Sequence, residues 1–86
     1  IPMKNIKPIY PHIAKKYGWE GTVHIRVVVK PNGIPGKKNI QVSSGHKPLD
    51  MAALNAVNKW RFLPAKDGNI PVQKIIDIPF VFKLGD

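Results

Sequence analysis

Five apolar residues at every second position, Ile76, Ile78, Phe80, Phe82 and Leu84, constrain this chain more than any other feature. The odd positions of the same stretch include Gln73, Asp77, Pro79 and Lys83. A period of two sends alternate side chains to opposite faces of a strand. One face is therefore core and the other wet, along a final strand expected from about 72 to 84. Val23, Ile25, Val27 and Val29 repeat the pattern, alternating with Thr22, His24, Arg26, Val28 and Lys30. Half-buried strands of this kind belong to antiparallel sheets. Pro31-Asn32-Gly33 then reverses the chain, since proline presets the first turn angle and Asn and Gly tolerate positive φ. Ile40 and Val42 alternate with Asn39, Gln41 and Ser43 in a returning strand, so the pair reads as a hairpin.

The apolar face of such a sheet needs a cover, and two helical patterns supply it. Pro11 suits a first helical turn, where its missing N–H is not needed. Ile13, Ala14 and Tyr17 follow at helical spacing, Lys15 and Lys16 suit the dipole of the last turn, and Gly18 suits the end. Pro48 opens a second helix. Leu49, Ala53, Ala56 and Trp60 form its stripe, widened by Ala52 and Val57, with Asp50 in the first turn and Lys59 near the last. Pro64 stops it, and Asp67-Gly68-Asn69 is a loop. The order is helix, strand, strand, helix, strand. This is an α+β fold, with two helices on one face of a three-stranded antiparallel sheet. The expected core includes Val23, Ile25, Val27, Leu49, Ala53, Trp60, Phe80 and Phe82. Residues 1–9 hold Pro2 and Pro8 without periodicity and read as an extended lead-in, the end of a linker. The domain proper is expected over residues 10–86.

A chain of 86 residues is one domain. It buries only about 60% of its unfolded surface, so its core must be well filled. There is no cysteine, hence no disulfide framework and no thiolate metal site. No apolar run approaches the roughly 18 residues of a membrane-spanning helix. The opening Ile1-Pro2-Met3 is expected to be the cut end of a longer chain, with any anchor or export signal upstream. The net charge is +9, and of fourteen basic residues only Arg26 and Arg61 are arginine. Nucleic-acid modules concentrate their basic residues on one face and favour arginine; here lysines are spread along the chain. A solvated lysine-rich surface accounts for this, and attraction to an anionic partner is the functional alternative.

Catalytic chemistry is hard to assemble. His12, His24 and His46 form no zinc-ligand pair. Ser43 and Ser44 precede a glycine but lack the elbow motif of a serine nucleophile. Glu20, Asp50, Asp67, Asp77 and Asp86 offer no obvious acid–base pair, and Gly33 and Gly36 make neither a phosphate nor a dinucleotide loop. No enzyme, metal or cofactor is expected. Trp60 is assigned to the core; Trp19, at a helix–strand junction, is open to either a packing or a binding role.

The same residues compose a familiar order. Tyr10-Pro11, Ala14, Gly18, Glu20-Gly21, Val23, Ile25, Val27 and Val29 resemble the opening of TonB C-terminal domains. Pro31 and Gly33 match the turn, and Ser43-Ser44-Gly45 with Leu49-Asp50 and Ala52-Ala53-Leu54 resemble the second strand and helix. Trp60-Arg61-Phe62 with Pro64-Ala65, and Phe80 with Phe82-Lys83-Leu84, resemble the closing segments. The match spans about residues 10–84. It implies a periplasmic domain of a protein anchored in the inner membrane of a Gram-negative bacterium. That domain serves TonB-dependent outer-membrane transporters and is driven by a motor resembling ExbB and ExbD. Siderophores, haem, cobalamin or metal chelates would be the cargo. The resemblance also implies that a short transporter segment, the TonB box, pairs with the last strand: Asp77, Ile78, Pro79, Phe80, Val81, Phe82, Lys83 and Leu84. Lead-in contacts fall at Lys7, Tyr10 and Pro11. Family members carry Gln where this chain has Lys7. The chain ends at Asp86, which leaves little room for the further strand of some members and is expected to leave the last edge free. Lys74, Lys83 and Pro79 are suited to guarding that edge, which can also pair two copies into a homodimer. The alternatives are a TolA-like envelope domain, a small basic nucleic-acid-binding domain, and a TonB-like domain reused in a sensor or a cell-envelope peptidase.

Overall fold

Stiff β-branched side chains favour extended backbone, and six of the nine residues Gly21–Val29 carry them. In the computed structural model, which describes residues 2–4 and 6–85, this segment is the central strand. The elements run β1 (Pro2–Lys4), α1 (His12–Tyr17), β2 (Gly21–Val29), β3 (Pro35–Val42), α2 (Lys47–Asn58), β4 (Arg61–Phe62), β5 (Ala65–Asp67), β6 (Ile70–Val72) and β7 (Lys74–Phe82). Residues 1, 5 and 86, included in the expected lead-in and domain, lie outside the described residues.

The main sheet has the order β3-β2-β7. β2 and β7 are antiparallel over nine pairs, from Gly21 opposite Phe82 to Val29 opposite Lys74, with no shift of register. The alternation read from the sequence decides the faces. Val23, Ile25, Val27 and Val29 are buried beside Ile78, Phe80 and Phe82, and Thr22, His24, Arg26 and Asp77 lie on the other face. Helix α2 covers β2 and β3, and α1 packs on α2. Leu49, Ala53, Ala56 and Val57 bury the inner stripe of α2. Its alanines let the helix come close to the sheet. The expected α+β fold and three-stranded antiparallel sheet are both present.

Several local readings need correction. In α1 only Ala14 is buried; Ile13 and Tyr17 are exposed, because two turns cannot bury a full stripe against both helix and sheet. Pro11 caps this helix and does not lie within it, and Gly18 ends it at φ 68°. Ile40 and Val42 are exposed: β3 is an edge strand, and a register shift beside His24 puts Val42 opposite that wet-face residue. Trp60 lies beyond the end of α2, whose C-cap is Lys59, and so is not on the helical stripe. It is half-buried, packing against Phe62 and Phe80 with ring centroids 5.9 and 5.4 Å away. The strand expected from 72 to 84 is interrupted at Gln73. Residues before it pair in a small β5–β6 hairpin around Gly68, and Lys83 and Leu84 lie past the end of β7.

The lead-in is docked. Pro2–Lys4 pairs with Arg61–Phe62, and the Trp60 indole N–H donates to the Ile6 carbonyl at 2.8 Å. The result is long and narrow, 49 × 21 × 17 Å, with a radius of gyration of 14.1 Å where about 12 Å is usual for this length.

Candidate partner-binding edge

A strand at the end of a sheet keeps half its backbone groups unpaired. β7 is such a strand, with β2 on one side only. Its core-side residues are anchored. Phe82 meets the edge of the Tyr10 ring at 5.4 Å, and Phe80 packs on Trp60. Beyond the strand, the Leu84 N–H donates to Glu20 Oε2 at 2.6 Å, which ties the end of β7 back toward the start of β2. Ile75, Asp77, Pro79 and Val81 occupy the wet face, where Ile75 and Val81 are exposed. Opposite Asp77, Arg26 donates from Nε at 2.9 Å and Nη2 at 3.3 Å. That hydrogen bond, helped by the nearby positive charge, holds the Asp77 carboxyl below its ordinary range. The pair is exposed, so it orients two side chains and adds little stability.

Pro79 stands opposite His24 inside the unshifted ladder. Proline has no N–H to give, and an unbroken ladder accepts it where its nitrogen faces away from the neighbour. Outside that point, residues Ile6, Lys7 and Pro8 of the lead-in lie against Pro79, Phe80, Val81 and Trp60 around a hollow of about 150 Å³. The structure thus brings Lys7 to the β7 edge. Tyr10 lies on the core side of β7, against Phe82, and Pro11 lines the neighbouring hollow beside α2. The Tyr10 hydroxyl donates to the Trp19 carbonyl, and partial burial followed by the Glu20 charge raises its pKa. The Pro11 carbonyl accepts from the Lys15 N–H at 3.1 Å.

The remaining polar clusters are structural. Asp50 Oδ1 accepts from the Ser44 N–H at 3.0 Å and lies 2.7 Å from the Ser44 hydroxyl; the Ser43 hydroxyl bonds Oδ2. The two serines therefore contact the carboxylate directly. The His46 ring is instead stacked on Trp19, 4.7 Å away and 10° from parallel, and the Tyr17 ring also stacks on Trp19, at 5.5 Å. Sequence reasoning missed this aromatic stack because His46 comes from a segment far along the chain from Tyr17 and Trp19. Among the described residues no group of three His, Cys, Asp or Glu converges as metal ligands, and no helix is long and apolar enough to cross a membrane.

The model of the family described as Gram-negative bacterial TonB protein C-terminal matches residues 6–84. This chain belongs to that family. The matched span takes in Ile6, Lys7 and Pro8, the residues that flank the β7 edge. The chain is 44% identical over 82 residues to Protein tonB2 of Pseudomonas aeruginosa, covering 95% of this chain and 30% of that protein. It is 40% identical over 79 residues to Protein TonB of Vibrio cholerae, covering 92% and 32%. The chain therefore spans about a third of the length of these relatives. A solution structure of the Pseudomonas aeruginosa TonB C-terminal domain matches all of this chain and 87% of its own, with a TM-score of 0.84 at 27% identity. TonB C-terminal domains are periplasmic and non-enzymatic.

Proposed function

We propose that this domain captures an extended segment of an outer-membrane transporter on the β7 edge that faces away from β2 and passes force to it. The observation that carries the reading is an edge strand, rigidly backed by the core, that keeps Pro79 in register. Backbone directions alternate along a strand. The inward turn of the Leu84 N–H toward Glu20 supports inward N–H groups at Ile78, Phe80 and Phe82 and outward ones at Val81 and Lys83. Asp77 belongs to the same outward set, and Pro79 leaves one rung without a donor. The strongest pairing is therefore at Val81, the last outward donor inside β7. Main-chain pairing is largely indifferent to the side chains of the captured segment, so one domain can serve several transporters. Lys7, beside the same hollow, is placed to meet the segment as it arrives.

The whole protein is then an energy transducer anchored in the inner membrane and driven by an ExbB/ExbD-like motor, with siderophores, haem, cobalamin or metal chelates as cargo. The test is titration of a TonB-box peptide against the parent, Val81→Pro and Val81→Ala, with circular dichroism to confirm folding. A net rung is worth on the order of 1 kcal/mol, so Val81→Pro weakens binding roughly five- to tenfold. Val81→Ala keeps the backbone donor and changes little. Equal binding by a folded Val81→Pro variant sinks strand capture at this edge. A dimer that dissociates as peptide is added would identify the same edge as the contact between two copies.

A further inference from the structure

A second and larger hollow adjoins the β7 edge. It lies between the lead-in and α2 and has a volume of about 470 Å³, within the range of ligand-binding clefts. Its surface includes Ile9, Met51, Ala52 and Ala56, together with Lys7 and Lys59. Ile9 is 80% exposed and Met51 44%, so two large apolar side chains open onto water here. Among the described residues no acidic side chain lines the groove and neither lysine has an ion pair. The groove is thus apolar in substance and positive in charge. Ile6, Lys7 and Pro8 line both this groove and the small hollow beside Pro79 and Val81. A chain lying on the β7 edge needs only to cross these three residues to enter the groove.

We propose that this groove is a second docking site for the same transporter segment, and that it takes an apolar residue flanked by carboxylates outside the strand-paired stretch. The inference rests on strand capture at β7 and adds side-chain selection to it. The apolar side chain fills the space over Met51 and Ala56, and the carboxylates meet Lys7 and Lys59. Methionine adapts its shape to different apolar partners, which suits a domain serving several segments. Charge complementarity selects this occupant over a second copy of the chain, whose net charge is also +9.

The test uses three capped synthetic probes. The short probe is eight residues of alternating Thr and Val. The acidic probe adds Gly-Ser-Gly-Asp-Leu-Asp at one end or the other, and the basic probe replaces both Asp by Lys. Each is titrated against the parent, Lys59→Glu, Asn55→Trp and Val81→Pro. Asn55 is an exposed lining residue of α2 whose enlargement fills the groove. The acidic extension at one end should tighten binding at least fivefold over the short probe, and the basic extension should not. Lys59→Glu and Asn55→Trp should erase that gain while binding the short probe as the parent does. The Met51 methyl NMR signal should move with the acidic probe alone. The proposal is overturned if the acidic and basic probes bind alike, or if the gain survives in both groove variants. It is also overturned if sedimentation shows a dimer that Asn55→Trp abolishes. In each of these cases Val81→Pro still weakens the short probe. Failure of strand capture reads differently, since binding of every probe is then indifferent to Val81→Pro, and the joint docking proposed here falls with it.

Discussion

Asp50 shows how one carboxylate can hold a connection to a helix. Burial pushes its carboxyl upward, but hydrogen bonds from the Ser43 and Ser44 hydroxyls and the Ser44 N–H, with His46 nearby, together hold it below the ordinary value. A lowered folded value means that the ionised group stabilises the fold above the unfolded pKa of about 4. That contribution disappears as the pH falls through the folded value. Asp50→Asn should therefore melt below the parent at pH 7, by about 2 kcal/mol, and the gap should close on the way to pH 2. A gap that is constant with pH would assign the effect to shape and not to charge. Gly33 is a second single-residue requirement. Its φ is 82°, its carbonyl accepts the Phe62 N–H at 2.9 Å, and an added Cβ would stand 2.2 Å from the Phe62 carbonyl oxygen. Gly33→Ala should lower stability by more than about 1 kcal/mol, read as a lower urea midpoint at unchanged slope.

Among the elements, the lead-in depends on Trp60 most directly. The ring packs on Phe62 and Phe80, while its N–H reaches the Ile6 carbonyl. Trp60→Ala removes both contacts and should cost about 3 kcal/mol. Trp60→Phe keeps most of the packing and drops the donor, so melting should fall less while amide exchange across residues 2–8 quickens. Should Trp60→Ala melt like the parent and lose only peptide binding, the residue is a contact and not a support. At the opposite edge, β3 carries Lys37 and Lys38, and charges of this kind discourage unwanted pairing. The capture proposed at β7 would use the other edge of the sheet, whose Ile78, Phe80 and Phe82 are buried in the core.

At the scale of the molecule, charge governs encounter. With a net charge of +9, the domain attracts an anionic partner through a field screened within about 10 Å at 0.1 M salt and 3 Å at 1 M. Stopped-flow measurements should show association with an acidic transporter segment slowing as salt rises, with dissociation changing much less. A dissociation rate that climbs steeply with salt would instead place charge pairs inside the interface.

The two alternating strands determined the sheet, its buried face and its antiparallel pairing from sequence alone, because a side-chain period of two admits only one way to hide its apolar half. The alanine and leucine stripe of α2 likewise named the helix that covers it. The same residues in order carried the family resemblance. Tertiary structure decided what periodicity cannot express. Whether β7 ends a sheet depends on which strands find which partners, and β2 took the centre by pairing on both sides. The break at Gln73 and the β5–β6 hairpin are hidden in a sequence that stays extended throughout. The docked lead-in was illegible because its partners, Trp60 and Arg61–Phe62, lie more than fifty residues away. The groove beside α2 arises for the same reason: it exists only once the lead-in has been brought alongside a helix that local sequence treats as unrelated.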